Sequence, residues 1–148
     1  MRAATLSLLV ILAACTPGGG NDTTPPDPDA ARPESPALVG PIWVLTELPG
    51  ATSLLGNGGR APDLRFTDDG NVGGFAGCNS MGGPYTVAGD SLHLGPLAMT
   101  LMACDQGMDL ERAYADALES VTGFRRQGQV LELLAGERTV ARFEARAE

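Results

Sequence analysis

The sequence contains no lysine; its ten basic residues are all arginines, set against eighteen carboxylates, for a net charge of -8. A P-loop needs a lysine to reach the phosphates, and a Schiff-base enzyme needs one as its amine nucleophile, so both classes are excluded. Histidine is nearly absent as well, with His93 standing alone and no second histidine at metal-ligand spacing. Nucleic-acid binding needs a basic stripe that displaces counterions from phosphates. Here the arginines are scattered singly except at Arg125 and Arg126, and no nucleic-acid partner is expected. Aromatic residues make up only 5% of the chain, which together with abundant glycine favours small strands and turns over long helices.

An almost wholly apolar run, Ala3 to Ala14, follows Met1 and Arg2 and is shorter than the roughly 20 residues that span a bilayer. A charged start and a short apolar middle are the features of a secretory signal. The run ends Leu12, Ala13, Ala14, Cys15, which resembles a bacterial lipobox. That resemblance implies a signal peptide over residues 1–14, cleavage before Cys15 and lipidation of Cys15. More than one acyl chain, at about 0.8 kcal/mol per buried methylene, gives a stable anchor. Position two of the mature chain is Thr16 rather than the aspartate that retains lipoproteins in the inner membrane. The expected location is therefore the cell envelope, at the outer membrane facing the periplasm where an outer membrane exists. Residues 15–37 then form a tether with prolines at 17, 25, 26, 28, 33 and 36 and no large apolar side chain. Such a composition buries too little surface to offset its conformational entropy.

Leu38 to Glu148 is enough chain for one modest core. Ile42 to Thr46 reads as a strand with Trp43 and Leu45 on one face; Leu64 and Phe66 flank Arg65 in the next. Asp68-Asp69-Gly70-Asn71 before Val72 is a hairpin turn; it lacks the spacing and the bidentate glutamate of an EF-hand calcium loop. Gly73, Gly74 and Gly77 predict a bulge, a bend or a close approach of another backbone. Tyr85–Val87 and Leu92–Leu94 pair across Ala88-Gly89-Asp90, which puts His93 on the outer face. Leu110, Tyr114, Ala117, Leu118 and Val121 recur at helical spacing. Asp109 is expected to cap that helix, Glu111 to favour its positive end, and Gly123 to stop its last turn. Two closing strands, Val130 to Leu134 and Val140 to Ala145, complete a mainly β fold with one helix: a small antiparallel β-barrel or strongly curled sheet plugged by an amphipathic helix.

With Cys15 lipidated, Cys78 and Cys104 are an even pair in an oxidising compartment, and a disulfide is the default. A reactive Cys78 thiol would need His93 as base and an orienting third group, and His93 on an outer strand face is poorly placed for that. Met81, Met99, Met102 and Met108 with His93 would suit cuprous copper, but methionine more often fills irregular core gaps. No catalytic residue, metal site or cofactor is expected.

Trp43 and Leu45, then Gly77-Cys78-Asn79 with Gly83 and Tyr85, then Leu97, Met99, Thr100, Met102, Ala103 and Cys104, then Glu111, Tyr114 and Leu118, together resemble the META domain, or HslJ-like, lipoproteins. Trp43, Gly77, Asn79, Tyr85, Thr100 and Met102 are its signature positions outside the cysteine pair, while Cys15 belongs to the lipobox. The chain departs at Leu101, where the family commonly has a basic residue. The resemblance covers residues 38–148 and implies a compact β-barrel-like domain, no established reaction, and a loose association with envelope stress. It points to a non-enzymatic, membrane-anchored binding or stress-tolerance module with an unknown envelope protein as partner. The alternatives are a carrier of a lipid or small apolar ligand in the barrel, or an inhibitor of an envelope hydrolase.

Overall fold

The computed structural model describes residues 38–147; the expected signal peptide over residues 1–14, the expected lipidation residue Cys15 and the expected tether over residues 15–37 fall outside the described residues. Nine strands and one α-helix follow in order: β1 (Ile42–Glu47), β2 (Asp63–Phe66), β3 (Asn71–Phe75), β4 (Ser80–Ala88), β5 (Ser91–Leu94), β6 (Ala98–Met99), α1 (Met108–Glu119), β7 (Gly123–Gln127), β8 (Val130–Ala135) and β9 (Arg138–Arg146). The strands are antiparallel in the order β3-β2-β1-β9-β8-β7-β5-β4-β6, and a further β3–β4 pairing closes the sheet on itself. The result is a curled sheet joined into a ring, with β6 added outside the ring on β4, rather than a regular barrel.

β4 makes the closure. Its first half pairs with β3, from Phe75↔Ser80 to Asn71↔Pro84, and its second half pairs with β5, from Tyr85↔Leu94 to Ala88↔Ser91. The change of partner falls between Pro84 and Tyr85, where proline has no N–H to offer a ladder. A Cβ on Gly83 would lie 2.4 Å from the Pro96 carbonyl oxygen, so only glycine admits the segment leading to β6. The opposite seam is thin: β5 meets β7 through the single pair Ser91↔Gly123.

Alternation along the strands decides what lies inside the ring. Trp43, Leu64, Leu92, Phe124, Leu131, Leu133 and Phe143 are fully buried, and α1 adds Leu110, Tyr114 and Leu118 to the same cluster. The Trp43 indole N–H donates to the Leu38 carbonyl at 2.8 Å, giving the polar edge of this buried ring a partner. Tyr85 sits edge-on to Phe66 with centroids 5.0 Å apart, and its hydroxyl donates to the Thr67 carbonyl. These packed aromatics fill the interior, as small rings of strands require.

Three sequence expectations change. The helix is capped by Gly107 at φ +91, not by Asp109, which sits in its first turn. A side chain at the cap position is excluded, because a Cβ on Gly107 would lie 2.3 Å from the Gly77 carbonyl oxygen. Gly123 does not stop the helix; it begins β7, where a Cβ would meet the Asp90 carbonyl oxygen at 2.9 Å. Three strands rather than two therefore close the fold. β7 lacks an apolar alternation because its second inward position is Arg126, whose guanidinium lies 5.0 Å from the Trp43 ring centroid.

Candidate functional site

The Gly77-Cys78-Asn79 turn between β3 and β4 gathers four parts of the chain. Cys78 and Cys104 form a disulfide with a sequence separation of 26 residues. Gly77, at φ +127, accepts a 2.6 Å hydrogen bond from the Asn57 amide. Gly56 and Gly107 press against the same carbonyl, since a Cβ on either would stand 2.1 Å or 2.3 Å from its oxygen. The loop after β1, the turn itself and the start of α1 are thereby locked together by backbone contact that admits no side chain.

Asn79 is 2% exposed and uses its whole amide. Its Nδ2 donates to Glu111 Oε1 at 3.0 Å and to the Met102 carbonyl at 3.2 Å, while its Oδ1 accepts from the Met102 amide at 2.7 Å and the Thr100 hydroxyl at 2.9 Å. An amide side chain has two donors and two acceptor lone pairs, so none is left over. The buried carboxylate of Glu111 also accepts from the Cys78 and Asn79 backbone amides, at 3.2 and 2.5 Å through Oε2. A buried carboxylate is tolerated only with such a set of donors.

Six of the signature positions thus meet at one place: Gly77, Cys78, Asn79, Thr100, Met102 and Cys104. Trp43 and Tyr85 lie apart from them, serving the core as described above. His93 is exposed on β5, and Cys78 is bonded to Cys104, so the two form no thiol–imidazole pair. The methionines separate too: Met81 is buried opposite Met99 in the β4–β6 pairing, whereas Met102 and Met108 are exposed. Among the described residues no group of three or more histidine, cysteine or acidic side chains is placed to hold a metal.

Glu111 is the member that its helix position alone did not mark as a ligand of the turn. Its spacing from Tyr114 and Leu118, three and seven residues, was the available signal, because it puts the carboxylate on the buried face of α1. Elsewhere, Tyr114 is fully buried with a hydroxyl that has no hydrogen-bond partner among the described residues. Burial, and secondarily the charge of Asp63, pushes this phenol well above its ordinary range. Asp63 is itself buried, accepting from the Phe75 amide and pairing with Arg60.

Several clefts open on the surface of the described residues, two of them lined by apolar side chains of the helix and its flanking loops. One of about 410 Å³ is lined mainly by Leu94, Pro96, Leu97, Met99 and Leu118, with His93 and Glu119. The other, about 500 Å³, runs between residues 50–55 and 105–113 beside the Gly77 turn.

Fold and site together define a small disulfide-stapled, closed-ring β domain in which a buried asparagine–glutamate pair clamps the loop before the helix. The chain belongs to the META domain family, whose sequence profile matches residues 36–147. It is similar to a Burkholderia xenovorans protein solved by NMR, with 28% identity and a TM-score of 0.59 over 75% of this chain and 85% of that one. A DUF4847 family protein from Bacteroides vulgatus shares the fold at 13% identity, with a TM-score of 0.52 over 75% and 96% of the two chains. None of the curated proteins matches the chain.

Proposed function

We propose that this protein is a non-enzymatic, lipid-anchored binding module of the cell envelope, with Cys15 acylated, residues 15–37 as tether and the META domain presenting a contact surface at its Gly77 end. A role in envelope stress tolerance follows from the same reading. The observation that carries it is the exposure of Leu101, at 98%, and Met102, at 56%, in a segment whose backbone is held by Asn79 and the adjacent disulfide. A mobile loop exposes apolar groups at little cost; a clamped one that does so presents them.

Two measurements test this. Labelled palmitate is expected to enter the wild-type chain and not Cys15→Ser. A photo-crosslinking residue at position 101, activated in living cells, is expected to trap a defined envelope protein; the absence of any trapped species in cells carrying the acylated protein sinks the binding-module reading.

A second reading, carriage of a small apolar ligand, is favoured by the 410 Å³ cleft and not by the ring interior, which aromatic and leucine side chains fill. Native mass spectrometry of envelope-purified protein tests it, and only a stoichiometric bound mass lost on Leu97→Asp sustains it.

A further inference from the structure

Four of the five large apolar side chains exposed among the described residues surround one turn. They are Leu55 at 60%, Leu101, Met102 and Met108 at 39%; Val39 is the exception. Each is fixed through a neighbour. Leu55 precedes Gly56 and Met108 follows Gly107, the two glycines packed on the Gly77 carbonyl. The amide and carbonyl of Met102 are both bonded to Asn79, and Thr100 on the other side of Leu101 bonds to Asn79 as well.

The 500 Å³ groove at this end is lined by Leu55, Met108, Leu110 and Ala113 together with Asp105 and Asp109, and no arginine lines it. Asp109 has only an exposed contact with Arg112 at 3.4 Å, which leaves its charge available, since such surface pairs are worth little. Apolar anchors beside unneutralised carboxylates select a ligand that alternates apolar and basic side chains. The chain's own tether does not qualify, having no large apolar residue and an acidic balance. A second copy would set carboxylate against carboxylate, and an anionic lipid surface would be repelled by the same groups.

Resting on the binding-module reading above, we infer that the Gly77 end binds a cationic amphipathic helix of a partner polypeptide, its apolar face on Leu55, Leu101 and Met102 and its basic residues on Asp105 and Asp109. The test titrates the full chain into two labelled synthetic helices, one of leucine and lysine and one of leucine and glutamate, followed by fluorescence anisotropy, with phosphatidylglycerol vesicles as a third arm. The leucine–lysine helix is expected to bind and the leucine–glutamate helix not. Leu101→Glu weakens binding by about tenfold or more with an unchanged melt, because that side chain touches solvent. Asp105→Asn with Asp109→Asn weakens it and flattens its dependence on salt. Equal affinity for both helices, an unaltered affinity in Leu101→Glu, or binding to the vesicles alone overturns the inference. A partner trapped by crosslinking at position 101 alongside no affinity for the leucine–lysine helix defeats this inference while leaving the binding-module reading standing.

Discussion

The carboxylate of Glu111 holds Asn79 twice, through its backbone amide at 2.5 Å and its side-chain Nδ2 at 3.0 Å, across 32 residues of sequence. Helix α1 is thereby tied to the turn between β3 and β4, and Asn79 in turn holds the Thr100–Met102 segment. One buried pair therefore sets the position of three separate elements.

Glu111→Gln is expected to destabilise the domain by about 3 kcal/mol, because the new Nε2 donor must face the donors of Cys78 or Asn79 and leave one buried and unpaired. Asn79→Asp places a carboxylate oxygen where Nδ2 donates to Glu111 and should cost at least as much. Urea unfolding of both variants checks this; a loss below 1 kcal/mol in each, on the usual scale for a single surface contact, means the pair is not what secures the turn.

Reduction of Cys78–Cys104 releases a constraint on a loop of 26 residues, for which the chain-entropy estimate is about 3.5 kcal/mol. Calorimetry should show the melting temperature falling by roughly 15 °C. A melt that stays put with both thiols alkylated contradicts the expectation.

Gly56→Ala should cost about 3 kcal/mol by overpacking, since its Cβ would stand 2.1 Å from a backbone oxygen that cannot move aside. Gly128→Ala, at φ +59 with open space around it, should cost only the left-handed backbone penalty of about 1 kcal/mol. Comparable losses in the two would show that the three-loop junction is soft.

Tyr114 is neutral in the folded protein beyond its ordinary value of 10.0, because burial, and then Asp63, opposes its ionisation. Its folded pKa being raised, stability is unaffected below pH 10 and falls as the pH rises above it, where the unfolded chain releases the proton and the native one retains it. Tyr114→Phe is expected to remove most of the alkaline loss. It should also add about 1 kcal/mol at neutral pH by deleting an unpartnered buried hydroxyl. Melts across the alkaline range check both, and an alkaline profile identical to wild type refutes the assignment; Tyr85, also raised by burial and by Asp69 and Asp68, is present in both proteins.

Period and turn chemistry determined much of the outcome. Alternation around Trp43, Leu64 and Phe66, the Asp-Gly turn at 69–70 and the helical spacing through Leu118 are local signals, and each element lies where they put it. The pairing of Cys78 with Cys104, expected from the cysteine count once Cys15 is set aside, is the disulfide the structure contains. Local signals failed at Gly107 and Gly123, whose glycines answer to carbonyls of Gly77 and Asp90 that are distant in sequence. They failed at β7 as well, where Arg126 takes an inward position by laying its guanidinium on Trp43. Only the tertiary structure decided that the sheet closes through β4, that Asn79 spends every hydrogen bond on Glu111, Thr100 and Met102, and that four apolar side chains stand exposed around Gly77. Those are relations between segments tens of residues apart, and a sequence pattern, which reports the environment of each residue along its own strand or helix, carries no term for them.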